Sequence, residues 1–342
     1  MIAEFWEPAA GGRIKCTLCP HFCVIDEGRE GLCKVRGTRE GRLESLVYGR
    51  VATLVSDSIE RKPFFHFHPG TFVLSLSTLG CNVLCAGCNT WQLSHATAAR
   101  GAAEKLSFMT PEEAVAMAEK HKLPGIAFAF GEAAIWAEYV HDVCVAAKEA
   151  GLFTCFVTAG YMNVKTLDYL APHIDAFKYD LKAPDGRGWG WLTKVEDPEI
   201  TLDIAARAKE DHGCHVEVVS NLVPGMNDDD ESLMKMANQV LERFGARTAW
   251  HVTRFLPEFE LSYVPATPVK TLERAAQIGR NAGLEFVYVG NVPGHPGRHT
   301  VCPECGRTVI RRGDQRAKEN WVREGRCPDC GLDLGIVGGE KS

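Results

Sequence analysis

Three sets of cysteines could do chemistry in this sequence. Cys81-x3-Cys85-x2-Cys88 places three thiols within eight residues. Thiolates are the usual ligands of iron–sulfur clusters, which normally take four of them. Three on one segment can hold a four-iron cube and leave its fourth iron open, as a catalytic metal site requires. The same spacing, i, i+4 and i+7, also describes one face of a buried helix. Gly80, Asn82, Gly87 and Asn89 instead make the segment a loop. Cys302-x2-Cys305-Gly306 and Cys327-x2-Cys330-Gly331 are paired knuckles, the pattern of a closed four-thiolate site of the zinc-ribbon or rubredoxin kind. Closed coordination makes that site structural, and a tetrahedron of sulfurs suits zinc or iron. Cys16-x2-Cys19-x3-Cys23-x9-Cys33 supplies four more thiolates, with His21 as a spare ligand, and both zinc and a second iron–sulfur cluster fit. Cys144, Cys155 and Cys214 stand alone in helix or strand patterns and read as small buried hydrophobes.

The elements that must position these groups follow from apolar runs at Phe72–Leu76, Ile126–Phe130, Phe153–Val157, Ala176–Leu181, Val216–Val219 and His251–Phe255, with a seventh at Phe286–Val289. Several lack polar alternation, as strands buried on both faces of a parallel sheet do. Helical patterns lie between most of them, at Pro111–Lys120, Ala134–Ala150 and Asp229–Phe244. Repeated strand–helix units predict an α/β fold, a full or partial (β/α)6-type TIM barrel. Three sections follow: an N-terminal cysteine module over residues 1–68, the barrel over 69–293, and a four-cysteine ribbon with its tail over 294–342.

In such a barrel the chemistry sits at the C-terminal ends of the strands. Those positions hold Cys81, Cys85 and Cys88, then Glu132, Asp180 with Lys182, Asn221, and His251 with Arg254. The segment Gly186-Arg187-Gly188-Trp189-Gly190-Trp191 reads either as a mobile lid or as two surface-packed tryptophans.

Charge and composition narrow the class. The 342 residues carry a formal net charge of −6, which excludes a wholesale nucleic-acid binder. Clustered cysteines in a chain of this length point to metal sites rather than a disulfide framework. The first residues show no charged-then-apolar leader pattern, and no apolar run reaches membrane length. The reading is a cytoplasmic metalloprotein without a membrane partner. Residues 306–326 hold seven Lys/Arg against three Asp/Glu, which reads as a solvated face before it reads as a dock for RNA or an acidic protein.

The segment Gly80-Cys81-Asn82-Val83-Leu84-Cys85-Ala86-Gly87-Cys88 resembles the cluster loop of the radical S-adenosylmethionine (radical SAM) superfamily. Lys15–Cys23, Ser45–Arg50, Ile59–Pro63, Val223–Asp228, Tyr288–His295 and the terminal knuckles extend the similarity to the AmmeMemoRadiSam family, relatives of pyruvate formate-lyase activating enzymes. The chain reads as a divergent member. Relatives usually carry Tyr-Asn-Glu-Pro-Thr where this chain has Phe130-Gly131-Glu132-Ala133-Ala134, and Gln-Asn-Trp where it has Asn89-Thr90-Trp91.

The resemblance implies a 4Fe–4S cluster on Cys81, Cys85 and Cys88, with SAM bound at the open iron. Reductive cleavage of SAM would give a 5′-deoxyadenosyl radical for hydrogen abstraction from an unidentified substrate, as in glycyl-radical activases. Glu132 would pair with the SAM ammonium, and Lys182 with its carboxylate beside Asp180. His251 and Arg254 would face the adenosine or the substrate. An electron donor such as flavodoxin or ferredoxin and a protein substrate are the implied partners. The uncharged stretch from Pro63 to Ala99 suits such a cluster, whose potential depends on burial and nearby charge. Two other readings stay open: a non-catalytic iron–sulfur electron-transfer or scaffold protein, and an RNA-modifying radical SAM enzyme.

Overall fold

The computed structural model describes residues 1–98, 101–195 and 197–338. Ala99, the end of the uncharged stretch, and the last four residues of the tail lie outside them. The chain forms two units: Met1–Ser56, Val73–Phe177 and Glu199–Cys214 in the first, and Asp57–Phe72, Lys178–Pro198 and His215–Ser342 in the second.

The apolar runs become strands of one large sheet: β1 (Thr53–Ser58), β2 (Phe72–Ser77), β3 (Gly125–Phe128), β4 (Phe153–Thr158), β5 (Ala176–Asp180), β6 (His215–Leu222), β7 (Trp250–Arg254) and β8 (Val287–Gly290). Their order in the sheet, β8-β7-β6-β5-β4-β3-β2-β1, repeats their order in sequence. In the first unit β2, β3 and β4 pair in parallel, with Leu74 opposite Ile126 and Gly125 opposite Phe153. In the second, β6, β7 and β8 do the same, with Val218 opposite Trp250 and Trp250 opposite Val287. β1 and β8 stand at the two ends of that order. All four residues of β3 are buried, which explains its unbroken apolar run. Beyond it Phe130 takes a left-handed φ of 67°, and the chain leaves the strand direction there.

Helix α1 (Pro111–Lys120) starts where a reciprocal cap permits: Thr110 accepts the Glu113 amide at 3.2 Å and Glu113 accepts the Thr110 amide at 2.8 Å. The run expected from Ala134 to Ala150 divides into a 3-10 turn at Ala133–Trp136 and helix α2 (Ala137–Glu149). The structure adds α3 (Val164–Leu170), α4 (Gly186–Thr193), α5 (Glu199–Glu210) and α7 (Val269–Ala282), with α6 (Asp230–Phe244) at its expected place.

Gly186–Trp191, read from sequence as a mobile lid or two surface-packed tryptophans, lies in helix α4 with Trp189 buried rather than at the surface. Asp185 caps it by accepting the Gly188 amide at 2.9 Å, and Trp189 is fully buried with its indole N–H on the Ala183 carbonyl at 2.9 Å. Gly188 must lack a side chain because a Cβ there would lie 2.6 Å from Ala183 Cβ. Burial of one indole thus overrides the poor helix propensity of three glycines. Trp191 alone stays exposed.

Each unit ties its peripheral segments to its interior through buried contacts. In the first, the Arg36 guanidinium donates to both Glu138 oxygens at 2.9 and 3.0 Å, and Glu138 also accepts the Glu4 amide. Trp136 stacks on Tyr139 and donates to the Val47 carbonyl at 2.7 Å. In the second, Phe65, Phe286 and Tyr288 share a core with Cys302, Val309, Ile310, Cys327 and Leu334 of the ribbon. Arg312 belongs to that core. It donates to Thr300 and to the Arg298 and Phe65 carbonyls, with its guanidinium 4.1 Å from the Phe65 ring centre. The basic stretch between the knuckles is therefore not uniformly solvated.

Close packing at the start of β3 yields a stability prediction. A Cβ on Gly125 would overlap the Phe153 ring. Gly125→Ala is expected to cost about 1–3 kcal/mol, read as a lower urea midpoint at unchanged m-value.

Candidate cofactor and metal centres

The loop after β2 carries Cys81, buried, and Cys85 and Cys88, half-buried. Its conformation is fixed from several sides. Gly80 has φ +82°, and a Cβ on it would collide with the Cys33 carbonyl oxygen. The Gly80 amide donates to the Leu93 carbonyl at 2.9 Å, closing the loop on itself. Asn82 donates to the Tyr161 carbonyl at 2.7 Å, and its own carbonyl lies 2.8 Å from His21 Nε2. The thiols meet polar hydrogens: the Val83 amide points at Cys81 Sγ at 3.3 Å, and Cys88 Sγ lies 3.5 Å from the Thr90 and Ser94 hydroxyls. Burial, then the neighbouring Cys85 and Glu132, push the Cys81 thiol well above its usual range. A bare thiolate is disfavoured there, and a cationic metal would supply the missing charge.

Glu132 follows β3 by four residues and is buried. Its Oε1 accepts from the Thr158 hydroxyl at 2.6 Å and the Ala134 amide at 3.2 Å, and its Oε2 accepts from the Ala159 amide at 2.8 Å. The Ala134 bond makes it the cap of the 3-10 turn as well as a strand-end acid. Gly131, just before it, sits so that a Cβ would be 3.8 Å from the Gly80 carbonyl oxygen. The ends of β2 and β3 thus bring the first cysteine and this acid side by side. Thr158, at the end of β4, was not among the residues singled out from sequence.

Asp180, at the end of β5, forms ion pairs with Lys178 and, at 3.0 Å, with Lys182. Burial opposes its ionisation, but the two ammonium groups outweigh it and hold the carboxyl down to about 2. Lys178 escaped the sequence reading, although residues 178 and 180 share one strand face and that period of two was the available signal.

His251 lies in a different setting. It is near the start of β7, buried, with Nε2 2.7 Å from Glu217 Oε2 and its ring stacked on Tyr288. Glu217, near the start of β6, also accepts the Phe65 and His66 amides at 2.9 and 2.8 Å and faces His215 at 3.1 Å. Burial alone would raise its pKa, yet the contacts to His215 and His251 pull it well below the ordinary carboxylate value. Arg254, at the far end of β7, donates from Nε to the Thr267 carbonyl at 2.9 Å.

The C-terminal set forms a compact site. The sulfurs of Cys302, Cys305, Cys327 and Cys330 all lie within 4.8 Å of one another, with Cys302–Cys330 at 3.5 Å and Cys305–Cys327 at 3.6 Å. A tetrahedron of Zn–S bonds of about 2.3 Å sets its sulfurs roughly 3.8 Å apart. The two knuckles match: Gly306 and Gly331, at φ +74° and +75°, donate amides to the Cys302 and Cys327 carbonyls at 3.0 Å. Arg307 bridges them by donating to both Asp329 oxygens at 2.6 and 2.7 Å. Among the described residues no other set of three or more His, Cys, Asp and Glu is gathered tightly enough for one ion.

The chain is 37% identical over 341 residues to an uncharacterized protein of Methanocaldococcus jannaschii, covering 98% of this chain and 99% of that one. The sequence pattern of the Radical SAM superfamily matches residues 75–237. The chain belongs to the radical SAM superfamily. Pyruvate formate-lyase-activating enzyme of Clostridium pasteurianum is 27% identical over 168 residues, 46% of this radical SAM chain and 65% of the enzyme. Among solved structures, a radical SAM methyltransferase from Sphaerobacter thermophilus is similar at 19% identity with a TM-score of 0.48, covering 64% of this chain and 66% of that one. The superfamily match spans Cys81, Cys85, Cys88, Glu132, Asp180 and Lys182, while His251, Arg254 and both four-cysteine sets lie outside it. Among the described residues no helix is long and apolar enough to cross a membrane.

Two outcomes follow from this geometry. Replacing Lys178 by Met should raise the Asp180 pKa toward the ordinary value of about 3.9, measured by carboxyl NMR titration. Because the folded pKa is depressed, the stability from this pairing is present above the unfolded value and lost as pH falls through about 2. Cys305→Ser should remove the metal of the C-terminal site and lower the melting temperature, with elemental analysis and calorimetry as the readouts.

Proposed function

We propose that this protein is a radical SAM enzyme that holds a 4Fe–4S cluster on Cys81, Cys85 and Cys88 and cleaves SAM reductively. The contact of Gly131 with Gly80, which sets Glu132 beside the three-thiol loop, carries the reading. The donor set fits the cofactor: soft thiolates suit iron–sulfur clusters, and three of them leave one iron for another ligand. When bound, cluster and SAM together supply a one-electron cleavage that yields methionine and a 5′-deoxyadenosyl radical for hydrogen abstraction.

The chain's own residues would bind and orient. Glu132, fixed by three hydrogen bonds, would receive the SAM ammonium without having to reorganise. Lys182, poised by Asp180, would meet the carboxylate, and Arg254 would contact the adenosine or the substrate. His251 we assign to the Glu217 network, where its imidazole positions strands rather than ligands. The uncharged residues around the cluster loop would keep water and competing protons away from the reactive centre. The 27% identity to an activating enzyme favours a protein substrate, with a glycyl-radical activase as the nearest model. A small flavodoxin- or ferredoxin-type donor and a cytoplasmic setting complete the proposal.

The test is an anaerobic assay on reconstituted protein with dithionite and SAM. Wild type should release 5′-deoxyadenosine, Cys88→Ala should release none, and Glu132→Gln should fall by about tenfold or more at limiting SAM. Wild type with full iron and sulfide content that releases no 5′-deoxyadenosine would overturn the proposal.

A further inference from the structure

The Cys88 sulfur has a setting of its own within the thiol loop. Among the described residues its polar neighbours are two hydroxyls, Thr90 Oγ1 and Ser94 Oγ, each at 3.5 Å. The hydroxyls lie 3.4 Å from each other, so the three atoms form a nearly equilateral triangle. Cys81 differs, since its sulfur meets the main-chain amide of Val83. At Cys88 the hydrogens come from side chains.

The backbone carries both hydroxyls to the sulfur. Thr90 stands at the N-cap of the helical turn Trp91–Ser94, and the Leu93 and Ser94 amides donate to its carbonyl at 2.9 and 3.0 Å. That turn folds Ser94 back over Thr90. A threonine at an N-cap ordinarily commits its hydroxyl to an amide of the first turn. This one caps no amide, and its hydroxyl faces Cys88 and Ser94 instead. Ser94 is 4% exposed, so its hydroxyl is directed at protein rather than solvent.

Charge decides what these hydroxyls do. A thiolate ligand has no hydrogen of its own, so a hydroxyl bonded to it must be the donor. Reduction of the cluster takes one electron from the flavodoxin- or ferredoxin-type donor, which is oxidised by the same electron, and no proton moves. The cluster and its thiolates gain one negative charge. The thiol loop has no formal charge to offset that gain, and Glu132 stands near enough to Cys81 for its own negative charge to be felt there. Hydrogen bonds to the sulfurs favour the more negative state and raise the potential.

Resting on the cluster proposed above, we infer that Thr90 and Ser94 are positioning residues that tune it. Their hydroxyls donate to Cys88 Sγ, stabilise the reduced state and bring its potential within reach of the electron donor. They act through the sulfur.

The experiment uses the full chain, reconstituted anaerobically, with iron and sulfide measured and the midpoint potential taken from an EPR-monitored titration. At the wild-type midpoint, Thr90→Val should lower the reduced-to-oxidised ratio about tenfold, a shift of ~59 mV to more negative potential for one electron. Ser94→Ala should move it in the same direction, and the double variant further. Thr90→Ser, which keeps the hydroxyl, should stay at the wild-type midpoint. Reduced wild type exchanged into deuterated water should also show deuteron couplings in pulsed EPR that weaken in the double variant. A fully loaded Thr90→Val/Ser94→Ala protein with an unmoved midpoint overturns the inference. So does a Thr90→Ser protein that shifts as far as Thr90→Val. Thr90 is half-buried and valine matches its shape, so that single variant decides the matter even if the double variant fails to fold. Wild type that assembles no cluster removes the proposed reaction and this inference together, whereas a full cluster with an unmoved midpoint removes this inference alone.

Discussion

The chain can place three thiols at a strand end only because one backbone position has no side chain. Gly80 takes a left-handed φ and lies directly on the Cys33 carbonyl and the Val35 side chain. The contact is between main chains, so no rotamer change can relieve a Cβ placed there, and the loop itself would have to move. The Gly80 amide also ties the loop to Leu93. One glycine therefore fixes where the cysteine loop begins, how it closes and what it rests on. The N-terminal module is the surface against which the loop is shaped.

Charge placement follows a second constraint, that a buried ion needs a partner. The thiol loop itself carries no formal charge and supplies amide and hydroxyl hydrogens to sulfur instead. In the first unit the buried Arg36 is paired with Glu138. In the second unit Glu217 collects two amides and two imidazoles. Asp180, at the end of its strand, is paired with both Lys178 and Lys182, whereas the Glu217 cluster lies near the strand starts.

Much of this was legible in the residues. Apolar runs without alternation marked the strands because both faces of the sheet are covered, and the spacing of glycines and asparagines marked the cysteine segment as a loop. The pairing of knuckles announced the C-terminal site. What was hidden depended on distant partners. Helix α4 forms because Trp189 finds a buried acceptor, which no local propensity reveals. His251 looked like a strand-end group, yet it lies near the start of β7, where Glu217 claims it. Arg36 stood unnoticed among surface-like basic residues until its burial against Glu138 was visible.

The three cysteine sets show how far sequence spacing constrains metal chemistry. All three sets contain a C-x2-C pair followed or preceded by further thiols, and the number of residues between them does not distinguish an ion from a cluster. In the C-terminal ribbon each knuckle turns through a left-handed glycine, returns an amide to its own first cysteine, and is clamped to its twin by Arg307 and Asp329, which forces four sulfurs together. The N-terminal set lacks a matched pair of such turns. Its segment is held by a strand pairing and by the α3 anchors Asn163 and Thr166.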